Sequence, residues 1–252
     1  SLSLPLSLSL SLSLSPSAVQ NTSCPLISMC RFSGSEDGDV RAWRVDGWEC
    51  VGRLDGHSQR VCALEAAGGW VASGSADESI RVWSAGDWRC VHALCEHDDA
   101  VMALQHVGSF LVSGSCDQTI GVWETESWRC VRRLRGHSGS VLALAATSRY
   151  LFSSSQDRSI RVWDMTQNWA CTDCKEEHDD AVTILAASED VAISSGDDGG
   201  MCLWETGRRL LRTSRRQLDG PLAALCLGGQ DTTALVAMGS FAGRVAVSRL
   251  VL

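Results

Sequence analysis

Residues 56–84, GHSQRVCALEAAGGWVASGSADESIRVWS, and residues 136–164, GHSGSVLALAATSRYLFSSSQDRSIRVWD, are two copies of one pattern. Working outward from them, Trp43, Trp83, Trp123, Trp163 and Trp204 follow one another at spacings of 40, 40, 40 and 41. Six residues before each stands Asp37, Asp77, Asp117, Asp157 or Asp198, and ten before each stands Ser33, Ser73, Ser113, Ser153 or Ser194. His57, His97, His137 and His178 open four of the units. A second Trp and a Cys recur at Trp48 and Cys50, Trp88 and Cys90, Trp128 and Cys130, and Trp169 and Cys171. A fixed period of this size overrides any segment-by-segment reading of the fold.

Within a unit the letters describe four short strands. VCAL (61–64) precedes a Gly-Gly turn, WVASGS (70–75) runs to a tight turn at Ala76-Asp77-Glu78, SIRVW (79–83) follows, and WRCVHAL (88–94) makes the fourth. Alternating or fully apolar runs with β-branched residues and Gly/Asp punctuation predict antiparallel sheet. One such sheet cannot cover its own apolar faces, and sheets packed radially around an axis cover one another.

The two quoted stretches resemble WD40 repeats, and the likeness extends over residues 30 to 250. It implies an all-β, WD40-type β-propeller with six repeat units visible, either a closed six-bladed ring or a fragment of a seven-bladed one. Two units depart from the pattern. The last, GSFAGRVAVS (239–248), has Ala242 and Ser248 where Asp and Trp would fall, and the first has Ser17 where His is expected.

Each middle unit holds His, Ser and Asp, the residue types of a hydrolase triad. Catalysis needs one such set with an exposed nucleophile, an oxyanion hole and a pocket, whereas here the set is repeated four times. The WD40 resemblance implies a structural tetrad instead: Trp donates its indole N–H to Ser, Ser bonds His, and His bonds Asp. The expected tetrads are His57, Ser73, Asp77 and Trp83; His97, Ser113, Asp117 and Trp123; His137, Ser153, Asp157 and Trp163; and His178, Ser194, Asp198 and Trp204. No catalytic residue, metal or cofactor is expected. Cys171-Thr-Asp-Cys174 with His178 has zinc-ligand spacing, but Cys171 is one copy of a repeated Cys, His178 belongs to a tetrad and a second ligand pair is missing. Lys175 is the only lysine, which rules out a GxxxxGK[ST] phosphate loop.

The 252 residues carry a formal net charge of −8, which argues against broad nucleic-acid affinity. Arg208, Arg209, Arg212, Arg215 and Arg216 are a local exception, and RNA association is a minor alternative resting on them. Twelve Cys in a chain with ample core residues read as free thiols in a reducing compartment. With no 18-residue apolar run and no signal-peptide pattern, the expectation is an intracellular protein, cytoplasmic or nuclear, away from membranes.

If the repeated positions hold the scaffold, partner recognition falls to positions that vary between units. These are the residues after the opening His and the residue before each turn Asp, which the resemblance implies lie on one face of a propeller. Glu36, Arg60, Asp98, Asp99, Cys116, Gln156, Asp179, Asp180 and Asp197 are the partner-binding candidates. Their acidic balance suits a basic protein or peptide. The expected function is therefore a protein-binding scaffold or adaptor. The alternative is substrate recognition for a ubiquitin ligase or signalling enzyme whose other domains lie outside this chain.

Residues 1–20 stand apart from the propeller assigned to 21–252. SLSLPLSLSLSLSLS (1–15) alternates as a strand would, yet it is also what a translated CT-dinucleotide repeat gives, so it is a gene-model artefact or a latch. Subtracting one period from the fourth strand at 48–54 lands on residues 8–14, so a latching tract is expected to supply the fourth strand missing after RVAVSRLVL (244–252).

Overall fold

A computed structural model describes residues 10–11, 29–206, 211–217, 222–228, 233–240 and 245–251, with side chains over 29–206. The chain divides into two compact units, residues 1–117 with 121–133, and residues 118–120 with 134–252. The first unit contains three four-stranded antiparallel sheets. These are β1 (Leu10–Ser11), β2 (Cys30–Gly34), β3 (Val40–Arg44) and β4 (Glu49–Leu54); β5 (Val61–Ala67), β6 (Trp70–Ser75), β7 (Ile80–Ser84) and β8 (Cys90–Leu94); and β9 (Val101–Val107), β10 (Phe110–Ser115), β11 (Ile120–Glu124) and β12 (Cys130–Leu134). The second contains β13 (Val141–Ala146), β14 (Tyr150–Ser155), β15 (Ile160–Asp164) and β16 (Ala170–Lys175); β17 (Val182–Ala187), β18 (Val191–Gly196), β19 (Gly200–Glu205) and β20 (Leu211–Gln217); and the three-stranded β21 (Leu222–Gly228), β22 (Thr233–Ser240) and β23 (Val245–Val251). Strands neighbour one another in chain order in every sheet. Helix is confined, among the described residues, to one 3-10 turn at Met165–Gln167, and no described helix is long and apolar enough to cross a membrane.

Burial explains the letters. The second and third strands are covered on both faces, and β6, WVASGS, is buried at five of its six positions. The fourth strand is the opposite, with β8 exposed everywhere but Leu94. That is why middle strands read as continuous apolar and small residues while outer strands do not. In the first unit Ala63, Ala72, Ile80 and Val82 of one sheet pack with Val101, Leu104, Leu111 and Trp123 of the next. The second unit repeats this, with Phe152, Ile160 and Val162 against Val182, Leu185 and Trp204. Close approach makes glycine necessary at one repeated place: a Cβ on Gly34 would lie 2.6 Å from Val61 Cγ1, and one on Gly74 2.6 Å from Val101 Cγ1.

Two expectations change. The fourth strand of the second sheet begins at Cys90 rather than Trp88, because Trp88 has φ 59° and donates its N–H to Ser84 O at 2.9 Å, closing the turn. Trp48 and Trp128 take the same left-handed conformation, with φ 55° and 54°. The indole offsets the strain where it packs: Trp88 lies edge-on to Phe32 at 5.9 Å, and Trp128 edge-on to Trp70 at 5.2 Å. The second change concerns the Ser-Leu tract. Leu10 pairs with Gly34 and Ser11 with Ser33, so these two residues lie in the first sheet beside β2 rather than in the last. They meet the edge of β2 opposite β3, a row of backbone groups that needs a partner. The rest of 1–20 lies outside the described residues, and β21–β23 has no fourth strand among the described ones.

Candidate functional site

The turn between second and third strands gathers the tetrad in four sheets. In the second sheet Trp83 Nε1 donates to Ser73 Oγ at 2.8 Å, Ser73 Oγ lies 2.7 Å from His57 Nε2, and His57 Nδ1 lies 2.9 Å from Asp77 Oδ2. The third sheet repeats this with Trp123 to Ser113 at 2.8 Å, Ser113 to His97 at 2.7 Å and His97 to Asp117 at 2.7 Å. In the fourth, Trp163, Ser153, His137 and Asp157 are linked at 2.9, 2.8 and 2.9 Å. Trp204, Ser194, His178 and Asp198 follow in the fifth at 2.8, 2.8 and 3.2 Å. A register shift between Val82 and Trp83, Val162 and Trp163, and Leu203 and Trp204 marks the pinned Trp. Such a bulge re-aims a side chain.

Only one proton arrangement satisfies every group. Because the indole can only donate, Ser73 Oγ accepts from it and gives its own hydrogen to Nε2, leaving the proton on Nδ1 for the carboxylate. Burial holds His57 below the ordinary histidine value against the pull of Asp77. Burial pushes Asp77 the other way, but the Ser79 hydroxyl, the Ser58 N–H and His57 together bring it down to about 2. The same donors hold Asp157 well below the carboxylate range against burial. The serines are fully buried, with both hydrogen and lone pair committed. That geometry offers no exposed nucleophile.

The first sheet keeps the Trp43–Ser33 bond at 2.8 Å but has no histidine, and Asp37 bonds only locally, to the Asp39 N–H. Here Asp39 stands where the other sheets have Ser79, Thr119 and Ser159, and it is paired with Arg53 at 3.0 Å. In the third sheet Arg133 reaches Asp117 at 3.4 Å and Asp98 at 3.9 Å. Sequence reading missed both arginines. Arg53 and Arg133 stand one repeat apart from Ala93, and that departure was the available signal.

The partner-binding candidates fall at the same end of each sheet. The residue before the turn Asp donates its N–H to the residue before the first strand: Ala76 to Arg60 at 3.0 Å, Cys116 to Ala100 at 2.8 Å, Gln156 to Ser140 at 2.9 Å and Asp197 to Ala181 at 2.9 Å. In the first unit Glu36, Arg60, Asp98 and Asp99 are exposed and Cys116 is half-buried; in the second, Gln156, Asp179, Asp180 and Asp197 are exposed. Asp98 and Asp179 give their backbone N–H to the tetrad carboxylates of Asp117 and Asp198, at 3.2 and 2.9 Å. Burial, then Asp180 and Asp198, push the Asp197 carboxyl up. Among the described residues no group of three or more His, Cys, Asp or Glu could hold a metal. Of the arginine run, Arg208 and Arg209 lie outside the described residues, and Arg212, Arg215 and Arg216 lie on β20, whose side chains are outside them.

The family model "WD domain, G-beta repeat" matches residues 48–84, 88–124 and 128–164. Each match begins at the turn before the fourth strand of one sheet and ends on or just after the third strand of the next, so repeat and sheet are staggered. Among solved structures, a computationally designed protein, Ika8, is 28% identical with a TM-score of 0.75, covering 88% of this chain and 68% of its own. U3-55K is 25% identical with a TM-score of 0.77, covering 88% of this chain and 74% of its own. No curated protein sequence matches. Three matched repeats, two further four-stranded sheets with the same serine–indole bond and this likeness in fold agree: the chain belongs to the WD40-repeat β-propeller family.

Proposed function

We propose that the chain is a binding scaffold for a basic protein or peptide, engaged at the sheet ends that carry Asp98 and Asp99 in one unit and Asp179, Asp180 and Asp197 in the other. WD40 repeats serve in general as protein-interaction scaffolds. One observation carries the finer reading. The loop after each of two tetrad histidines is fixed through its backbone, Asp98 N to Asp117 and Asp179 N to Asp198, while its carboxylates point outward; the Asp98 side chain is 90% exposed. A fixed loop presents charge at little entropic cost on binding. The crowding that raises Asp197 is relieved by a cation, which an anion cannot do. Gln156 and Ser140, hydrogen-bonded at 3.2 Å, add a neutral polar contact in the second unit. The tetrads in this reading are pins that hold the loops.

The test is binding of an Arg/Lys-rich peptide, with an acidic peptide as control, to the wild type and to Asp99→Lys/Asp180→Lys. The basic peptide should bind the wild type preferentially and the variant about tenfold more weakly, with unchanged melting temperature. Equal binding of both peptides, or no loss in the variant, overturns the proposal.

A further inference from the structure

Four cysteines occupy one repeated place on the fourth strands, and they are not alike. Cys50, Cys90, Cys130 and Cys171 each direct the thiol at the carbonyl two residues on, at 3.5, 3.3, 3.2 and 3.4 Å. Two of them have a second neighbour. Arg81 Nη1 lies 3.7 Å from Cys90 Sγ, and Arg161 Nη1 lies 3.7 Å from Cys171 Sγ, each reaching across from the third strand. At Cys50 the corresponding Arg41 turns instead to Asp39, 3.5 Å away, and at Cys130 the corresponding residue is Gly121.

The two guanidiniums are held in the same way. A Cβ on Gly56 would lie 2.9 Å from Arg81 Nη1, and one on Gly136 3.0 Å from Arg161 Nη1, so each arginine fills the space over a glycine. Each also keeps a buried Nε–H without an acceptor. Among the described residues neither arginine has a carboxylate within ion-pair distance, and the sulfur is what its outer N–H meets. A partly buried cation without a counter-charge favours an anion at its contact, and a thiolate is one. Cys90 and Cys171 are also exposed, so a reagent can reach them.

We propose that Cys90 and Cys171 are sites of thiol–disulfide exchange with low-molecular-weight disulfides, each with its thiolate held by the neighbouring guanidinium. The cysteine gives its proton to water. The sulfur electron pair then attacks one sulfur of the small disulfide, forming a protein–small-molecule disulfide as the original S–S bond breaks. The departing thiolate takes up a proton, so the small disulfide is the oxidant and one of its halves is the reduced product. Cys130 provides the contrast, since burial and then Glu96 push its thiol up. Cys50 is exposed, shares the carbonyl contact and lacks the arginine.

The experiment exposes the wild-type protein to oxidised glutathione and, separately, to neutral hydroxyethyl disulfide, quenches with acid and maps modified cysteines by peptide mass spectrometry. Cys90 and Cys171 should react about fivefold faster than Cys50 and Cys130 with both reagents. Arg81→Gln should slow Cys90 alone and Arg161→Gln Cys171 alone, circular dichroism confirming the fold. Reaction of Cys90 and Cys171 at the rate of Cys50 overturns the proposal. So does a preference seen with glutathione only, which would place the arginine's effect on the reagent's carboxylates. Neither result depends on a variant folding.

Discussion

At the scale of single residues, the tetrads concentrate the consequences of mutation. Trp123 is 1% exposed, packs with Val101, Leu104 and Leu111, and gives its indole N–H to Ser113. Trp123→Ala should therefore cost about 3–5 kcal/mol, the range for large core truncations. Asp117→Ala removes the acceptor that serves His97, Asp98 N and Arg133 together, leaving donors unpaired in a half-buried turn. Thermal melts of the two variants should both shift down, and two unshifted curves would contradict the linkage drawn here. The tetrad positions were legible because they are repeated. Arg133 and Arg53 were not, since a residue that answers one local charge carries no periodicity.

At the scale of elements, the seam between the first strands of the second and third sheets contains an acid that repetition does not explain. Glu65 on β5 accepts the backbone N–H of His106 on β9, and burial pushes its carboxyl up to about 8. Trp70 stands edge-on to His106 at 5.3 Å in the same seam. With a folded pKa above the ordinary 4.5, the folded state holds a proton that the unfolded chain has lost. The associated stability is fully present below about pH 4.5 and declines as pH rises to about 8, by up to about 1.4 kcal/mol per pH unit. Denaturant melts across that window should show the decline in the wild type and a flatter profile in Glu65→Gln. Parallel profiles would mean that Glu65 ionises freely. The short pairing of Leu10–Ser11 with β2 belongs to this scale too. Deletion of residues 1–16 removes that partner, and a lower melting temperature is the expected result. An unchanged one would mean that β2 needs no such cover.

At the scale of the whole molecule, charge sets the terms of association. A net −8 on 252 residues repels polyanions and attracts basic partners over distances that salt shortens. The preference for a basic peptide should accordingly weaken as ionic strength rises. The repeat is what makes this charge usable: tetrads at a fixed period hold loops whose outward residues differ, so one scaffold carries several chemistries.

The sequence by itself determined the repeat, the strand pattern within it and the identity of the tetrads, because each is a demand made several times over. A period of 40 with Ser, Asp and Trp at constant offsets left no other arrangement for those side chains. Tertiary structure alone decided what depends on a neighbour from another sheet or another turn. It placed Leu10–Ser11 beside β2, turned Trp88 into a left-handed corner, paired Arg53 with Asp39 and set a guanidinium against Cys90 and Cys171 but not Cys50. Those choices follow from which backbone edge lacks a partner and which charge lacks a counter-charge, and both are properties of atoms brought together by folding.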